Sequence, residues 1–318
     1  ITNMRIHILG ICGTFMAGLA QILKESGHEV SGADMQFYPP MSEYIKKIGI
    51  PTIQGYQKES LPDADLYVIG NALSRGNECV EEILEKNLPF SSGPEILGKE
   101  LKGRNVYAIS GTHGKTTTSY MLAHILLDQG RDIGYLIGGI SKDFENPAKL
   151  GTDSIFVIEA DEYDSAFFDK RSKFIHYFPT NLIINNIEFD HADIFNNIND
   201  IIKSFHHLIR LVPPNGKIIV NNNETKDVSI YCSRRETGEK CLSIYFLHFS
   251  LFRAQSDAIN LIQTHINTIS KTQYYEQKYY LKNICDRVYL CLCVNSPIIY
   301  STSIFNTLKF LDLNSTTD

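Results

Sequence analysis

The segment Val106-Tyr107-Ala108-Ile109-Ser110-Gly111-Thr112-His113-Gly114-Lys115-Thr116 decides how this chain is read. Val106–Ser110 is a short apolar run of the kind that forms a buried parallel strand. Gly111–Lys115 is then a tight, glycine-bounded turn, and Thr116–Gln129 carries a helical pattern. Strand, glycine turn and helix in that order aim backbone N–H groups and the positive end of a helix dipole at an anion. Lys115 adds a point charge suited to β- and γ-phosphates, and the Thr116 hydroxyl suits the Mg²⁺ that bridges them. Thr112, His113 and Thr117 complete the cradle. Its spacing, G-x-x-G-K-T, is shorter than the general G-x-x-x-x-G-K-[ST] form.

Outward from this loop, short strands alternate with amphipathic helices as far as Asn221. Arg5–Leu9, Glu29–Ser31, Leu66–Ile69, Ser154–Glu159, Asn181–Asn185 and Lys217–Val220 read as further buried strands. Ala17–Ser26, Met41–Ile48, Cys79–Lys86 and Ile198–Leu211 read as helices, with Gly27 and Gly130 where helix-ending glycines belong. Such alternation predicts the α/β class with two doubly wound domains. The expected domains are 4–92 and 105–221, joined by a linker at 93–104 that contains Gly93, Pro94, Gly98 and Gly103.

Past Asn221 the punctuation disappears. Gly238 and Pro297 stand alone of their kinds, and no period of 2 or 3.6 emerges. Without glycine, positions of positive φ have few occupants. Residues 222–318 are therefore expected to be a tail that was not selected to fold, as a shifted reading frame would produce; a divergent helical domain is the alternative.

Composition narrows the function classes. The 318 residues carry a net charge of −6, which argues against a basic nucleic-acid footprint. Apolar runs are too short for a bilayer span, and Met4–Ala20 is punctuated by Gly10, Gly13 and Gly18 rather than built as a secretory signal. A cytoplasmic location is the default expectation. The seven cysteines show neither a disulfide framework nor zinc spacing; Cys291-Leu292-Cys293 is C-x-C.

Three further constellations carry chemistry. Ser154–Glu159 runs into Glu159-Ala160-Asp161-Glu162-Tyr163-Asp164, and a carboxylate at a parallel strand's carboxyl end can ligate a nucleotide-bound cation. Ile187-Glu188-Phe189-Asp190-His191-Ala192-Asp193 follows the Asn181–Asn185 strand and offers His191 as a second cation ligand. His206 and His207 are adjacent, so they diverge on a helix and are assigned to packing or surface. At the amino end, Gly10-Ile11-Cys12-Gly13-Thr14 follows a strand and opens a helix, as a diphosphate-binding loop does. Asp34, just after the second strand, is placed to meet a ribose or base. These features do not separate a nicotinamide cofactor from a UDP-sugar.

Together the motifs resemble the Mur ligases of peptidoglycan synthesis and recycling. GTHGKTTT (Gly111–Thr118), EADEYD (Glu159–Asp164) and NIEFDHAD (Asn186–Asp193) occur in the family's order. MRIHILGICGTFMAG (Met4–Gly18), YPPM (Tyr38–Met41), GNALSRGN (Gly70–Asn77) and FFDKRSK (Phe167–Lys173) resemble the branch that joins UDP-N-acetylmuramate to the tripeptide L-Ala-γ-D-Glu-meso-diaminopimelate. The branch that adds L-alanine shares the phosphate loop but usually has Ser where Tyr163 stands. A nucleotide-binding protein without catalysis is a further alternative.

The resemblance, over roughly residues 4–221, implies a Rossmann-like UDP-binding domain, a central P-loop α/β ATPase domain and a third domain. It implies ATP and Mg²⁺ as cofactors, small-molecule substrates, a monomer and an acyl phosphate on the path to an amide. It assigns Lys115 and Thr116 to phosphate and magnesium, Glu159 and His191 to the cation, and Gly10, Gly13, Thr14, Asp34 and Asn71 to the UDP moiety. Met4 resembles the family's start, so Ile1–Asn3 are expected to be extraneous. The family's G-x-H-N-x-x-N element of the central domain and His-His-Pro element of the third are not found, so the end of the central domain and the whole third domain are expected to be missing and activity weak or absent.

Overall fold

The structure is a computed structural model that describes residues 3–139, 141, 144–190, 194–195, 197–221 and 243–247. One compact unit comprises residues 1–220 and 224–244, and a second comprises 221–223 and 245–318. The expectation of an unfolded tail lies outside the described residues, except that Ser243–Leu247 is a strand.

Two parallel sheets organise the first unit. In the amino-terminal sheet, β1 (Arg5–Leu9), β2 (Glu29–Asp34), β3 (Thr52–Gln54), β4 (Leu66–Ile69) and β5 (Phe90–Ser92) lie in the order β3-β2-β1-β4-β5, all parallel. The chain leaves β1 for β2 on one side and later returns to β4 on the other. That reversal opens a crevice beyond the carboxyl ends of β1 and β4, where α/β sheets bind ligands. Leu9 pairs with Ile69, so Gly10 and Gly70 face each other across it.

The second sheet contains β6 (Asn105–Ser110), β7 (Gly134–Leu136), β8 (Ala148–Lys149), β9 (Ile155–Glu159), β12 (Asn181–Ile184) and β13 (Lys217–Asn221). Neighbours run β13-β12-β6-β9-β7-β8, parallel except for β8 against β7. Here β6 is the switch strand, flanked by β9 and β12. A hairpin of β10 (Asp164–Ala166) and β11 (Asp169–Ser172) follows β9.

The helices are α1 (Thr14–Glu25), α2 (Met41–Lys47), α3 (Glu78–Glu85), α4 (Gly93–Glu100), α5 (Lys115–Asp128) and α6 (Ile198–Ile209). Buried residues of both sheets and of α1, α4 and α6 form one apolar core. No described helix is long and apolar enough to cross a membrane.

Most of the stretch read as a linker, 93–104, is helix α4. The Ser92 hydroxyl caps it by accepting from Glu95 N–H, and Pro94 occupies the first turn, where its missing N–H costs nothing. Gly98 is no hinge: a Cβ there would meet the carbonyl oxygen of His176 at 2.0 Å. The glycine serves close packing of α4 against the 3-10 turn Lys173–Tyr177.

Candidate nucleotide site

Ser110 ends β6 and Lys115 begins α5, so the four residues between them turn the chain through a tight corner. Gly111 adopts φ +130° and Gly114 φ +77°, conformations that favour glycine. A Cβ on Gly111 would also lie 2.9 Å from Asn186 O. The loop is braced from the end of β12. Thr112 N–H donates to Asn186 O at 3.0 Å, and His113 N–H donates to Asn186 Oδ1 at 2.8 Å. Asn185 Nδ2 donates to His113 O and Thr118 Oγ1. The Thr112 hydroxyl donates to Glu188 O and accepts from Glu188 N–H.

The first helical turn carries the chemistry. Lys115 Nζ donates to Gly111 O at 2.8 Å and to Glu162 Oε2 at 2.9 Å. Thr116 Oγ1 donates to Glu159 Oε1 at 2.8 Å, and Glu159 Oε2 accepts from Gly138 N–H at 2.7 Å. The pairing of Ile109 with Glu159 across β6 and β9 brings that carboxylate beside the loop. A cation, a hydroxyl and two carboxylates thus meet at the start of one helix. Burial pushes the Glu162 carboxyl above the usual range, and the neighbouring Lys115 ammonium opposes the shift.

Such an arrangement can hold a polyanion at the helix start and a hard cation beside it. Among the described residues, no group of three or more His, Cys, Asp and Glu could hold a metal alone. Thr116 and Glu159 form a hard-oxygen pair, which suits a hydrated ion that also takes phosphate oxygens. His191 lies outside the described residues. Thr117 is exposed on the first turn of α5.

The amino-terminal loop is built differently. Gly10 takes φ +81° and its N–H donates to Ala33 O at 2.9 Å. Gly13 caps α1 in extended geometry, and Gly13 and Thr14 are exposed. Asp34 Oδ2 accepts from Cys12 N–H at 2.8 Å, so the acid faces the loop. Burial and Asp34 together push the Cys12 thiol up to about 11, which makes it an unreactive thiol. Asn71 is exposed just beyond β4.

Two residues of the site carried no role in the sequence reading. Glu162 pairs with Lys115 from within the quoted EADEYD string. Lys173, the last residue of FFDKRSK, donates to Asp161 Oδ2 at 2.8 Å. It also lies 5.8 Å from the Phe15 ring centroid and 5.6 Å from that of Tyr163. It therefore stands between the first turn of α1 and the acidic segment.

Residues 5–105 match the model of the Mur ligase family, catalytic domain, and residues 109–275 match that of the Mur ligase middle domain. The chain belongs to the Mur ligase family. The second match continues beyond Asn221, where the sequence reading ended the resemblance. The UDP-N-acetylmuramate–L-alanyl-γ-D-glutamyl-meso-2,6-diaminoheptandioate ligase of Escherichia coli K12 is 54% identical over 244 residues, 74% of this chain and 53% of that protein. Its namesake from Haemophilus influenzae is 52% identical over 221 residues, 69% of this chain and 49% of the relative. The chain thus spans about half the length of the curated relatives it matches. A crystal structure of the corresponding ligase from Neisseria meningitides superposes with TM-score 0.71 at 44% identity, covering 77% of this chain and 78% of that one. A UDP-N-acetylmuramate–L-alanine ligase of Clostridium botulinum is 36% identical over 229 residues, 72% of this chain and 48% of the relative.

Proposed function

We propose that this chain serves an ATP-dependent ligase reaction joining UDP-N-acetylmuramate to the tripeptide L-Ala-γ-D-Glu-meso-diaminopimelate in peptidoglycan recycling. Residues 4–92 hold the UDP moiety through Gly10, Gly13, Thr14, Asp34 and Asn71, and residues 105–221 hold ATP on Gly111–Thr117. Thr116 and Glu159, with His191, hold Mg²⁺, which offsets phosphate charge when bound. The muramyl carboxylate attacks the γ-phosphorus, ADP leaves, and the tripeptide amine displaces phosphate from the resulting acyl phosphate to give the amide. Carboxylate and triphosphate repel each other, so Lys115 acts by neutralising the transferring group. We assign the reaction to a monomer in the cytoplasm, with no nucleic-acid or membrane partner.

The observation that carries this reading is the convergence of Lys115, Thr116 and Glu159 at the start of α5. The preference for tripeptide over L-alanine rests on 54% identity to the one group of relatives against 36% to the other. The test is ADP release in the presence of UDP-N-acetylmuramate and tripeptide, beside a Lys115→Ala control. Release that needs both substrates and Lys115 supports the reading. Folded protein that binds both nucleotides without such release leaves only a nucleotide-binding protein. L-alanine outcompeting tripeptide as acceptor would move the chain to the alanine-adding branch.

A further inference from the structure

Two carboxylates of the acidic segment divide the start of α5 between them. Glu159 takes the Thr116 hydroxyl, and Glu162, three positions on, takes the Lys115 ammonium. Glu162 is 2% exposed and Lys115 is 12% exposed, so the pair sits where water screens it poorly. Lys115 has three N–H donors. Gly111 O lies at 2.8 Å, Glu162 Oε2 at 2.9 Å and Oε1 at 3.2 Å, with Thr112 O further off at 3.4 Å. These contacts fold the lysine back over its own loop and offer an acceptor to each of its three N–H donors.

We propose that Glu162 is the counter-ion that sets how tightly Lys115 grips a nucleotide's outer phosphates. Lys115 exchanges Glu162 and its loop carbonyls for phosphate oxygens as nucleotide binds, and returns to them as ADP leaves. Glu162 is thus a positioning residue that acts through Lys115. Two anions cannot hold one ammonium at full strength, so the carboxylate weakens the grip and keeps ADP release easy. AMP has no phosphate at the Lys115 position and is blind to the exchange. The inference rests on the triphosphate reading of this loop.

The test is calorimetric titration of the full chain with ATP, ADP and AMP, comparing wild type with Glu162→Gln. Glutamine keeps the volume and one acceptor oxygen but removes the charge. ATP and ADP are expected to bind on the order of tenfold tighter to the variant, with AMP unchanged. Outer-phosphate binding that is unchanged or weaker overturns the proposal, as does an equal change for all three nucleotides, which a merely structural role would give. If Glu162→Gln does not fold, Glu162→Asp withdraws the carboxylate by one methylene. It is expected to show the same pattern with a smaller gain, and no gain overturns the proposal. Wild-type chain that binds neither ATP nor ADP removes the underlying reading as well. Wild-type binding without a Glu162 effect removes only the exchange.

Discussion

Two junctions of strand, glycine turn and helix, β1–α1 and β6–α5, part company where the helix begins. At the first, Gly13 caps the helix in extended geometry and Thr14 and Phe15 follow. At the second, Gly114 caps it in left-handed geometry and Lys115 and Thr116 follow. Acidic partners are deployed differently too. Asp34 accepts a backbone N–H of the first loop, whereas Glu159 and Glu162 engage side chains of the second. The backbone device is shared, since the start of each helix can present N–H groups to an anion. What separates them is the side chain set on the first helical turn, where both junctions offer a threonine hydroxyl but only the second adds a cation.

Lys115→Ala is the sharpest way to break that contrast. ADP release dependent on both substrates is expected to fall about 10³-fold, while calorimetric binding of UDP-N-acetylmuramate stays within about twofold. Equal damage to both would show that the two loops do not divide the work. Glu159→Gln is expected to lower turnover about 10²-fold at fixed Mg²⁺. Raising Mg²⁺ should restore part of the loss; a loss indifferent to Mg²⁺ would remove Glu159 from the cation.

Glycine substitutions probe the two backbones directly. Gly111→Ala is expected to destabilise by about 2–3 kcal/mol in urea titration, because φ is +130° and Asn186 O lies 2.9 Å from the new Cβ. Gly13→Ala, at φ −62° with its nearest neighbour 3.5 Å away, is expected to cost under about 0.5 kcal/mol. Comparable costs would mean that the loops are equally constrained. Asp34→Asn is expected to lose about 1 kcal/mol of UDP-sugar affinity through the weakened bond from Cys12 N–H. ATP affinity should not move.

Long elements were legible because their periodicity is long. All seven strands read from apolar runs are present, and five of the helices lie within a few residues of their expected bounds. The three-residue strands β3, β5 and β7 carry too little pattern to read. Helix α4 was hidden by its own Gly and Pro, which are local punctuation in a sequence but here answer to a cap and a close contact. In the site, Lys115, Thr116 and Glu159 could be read because each sits at a strand or helix end. Glu162 and Lys173 could not be assigned, because their partners come from elements distant in sequence.

Asn185 and Asn186 bear on engineering. The six letters from Gly111 to Thr116 look like a portable cassette, yet their shape is set partly by Asn186, 73 residues beyond His113. Grafted onto another strand–helix corner without that neighbouring strand end, the string would lose the acceptors for Thr112 and His113 N–H and the donor for His113 O. The smallest transplantable piece is therefore a pair of adjacent strands with both their exits.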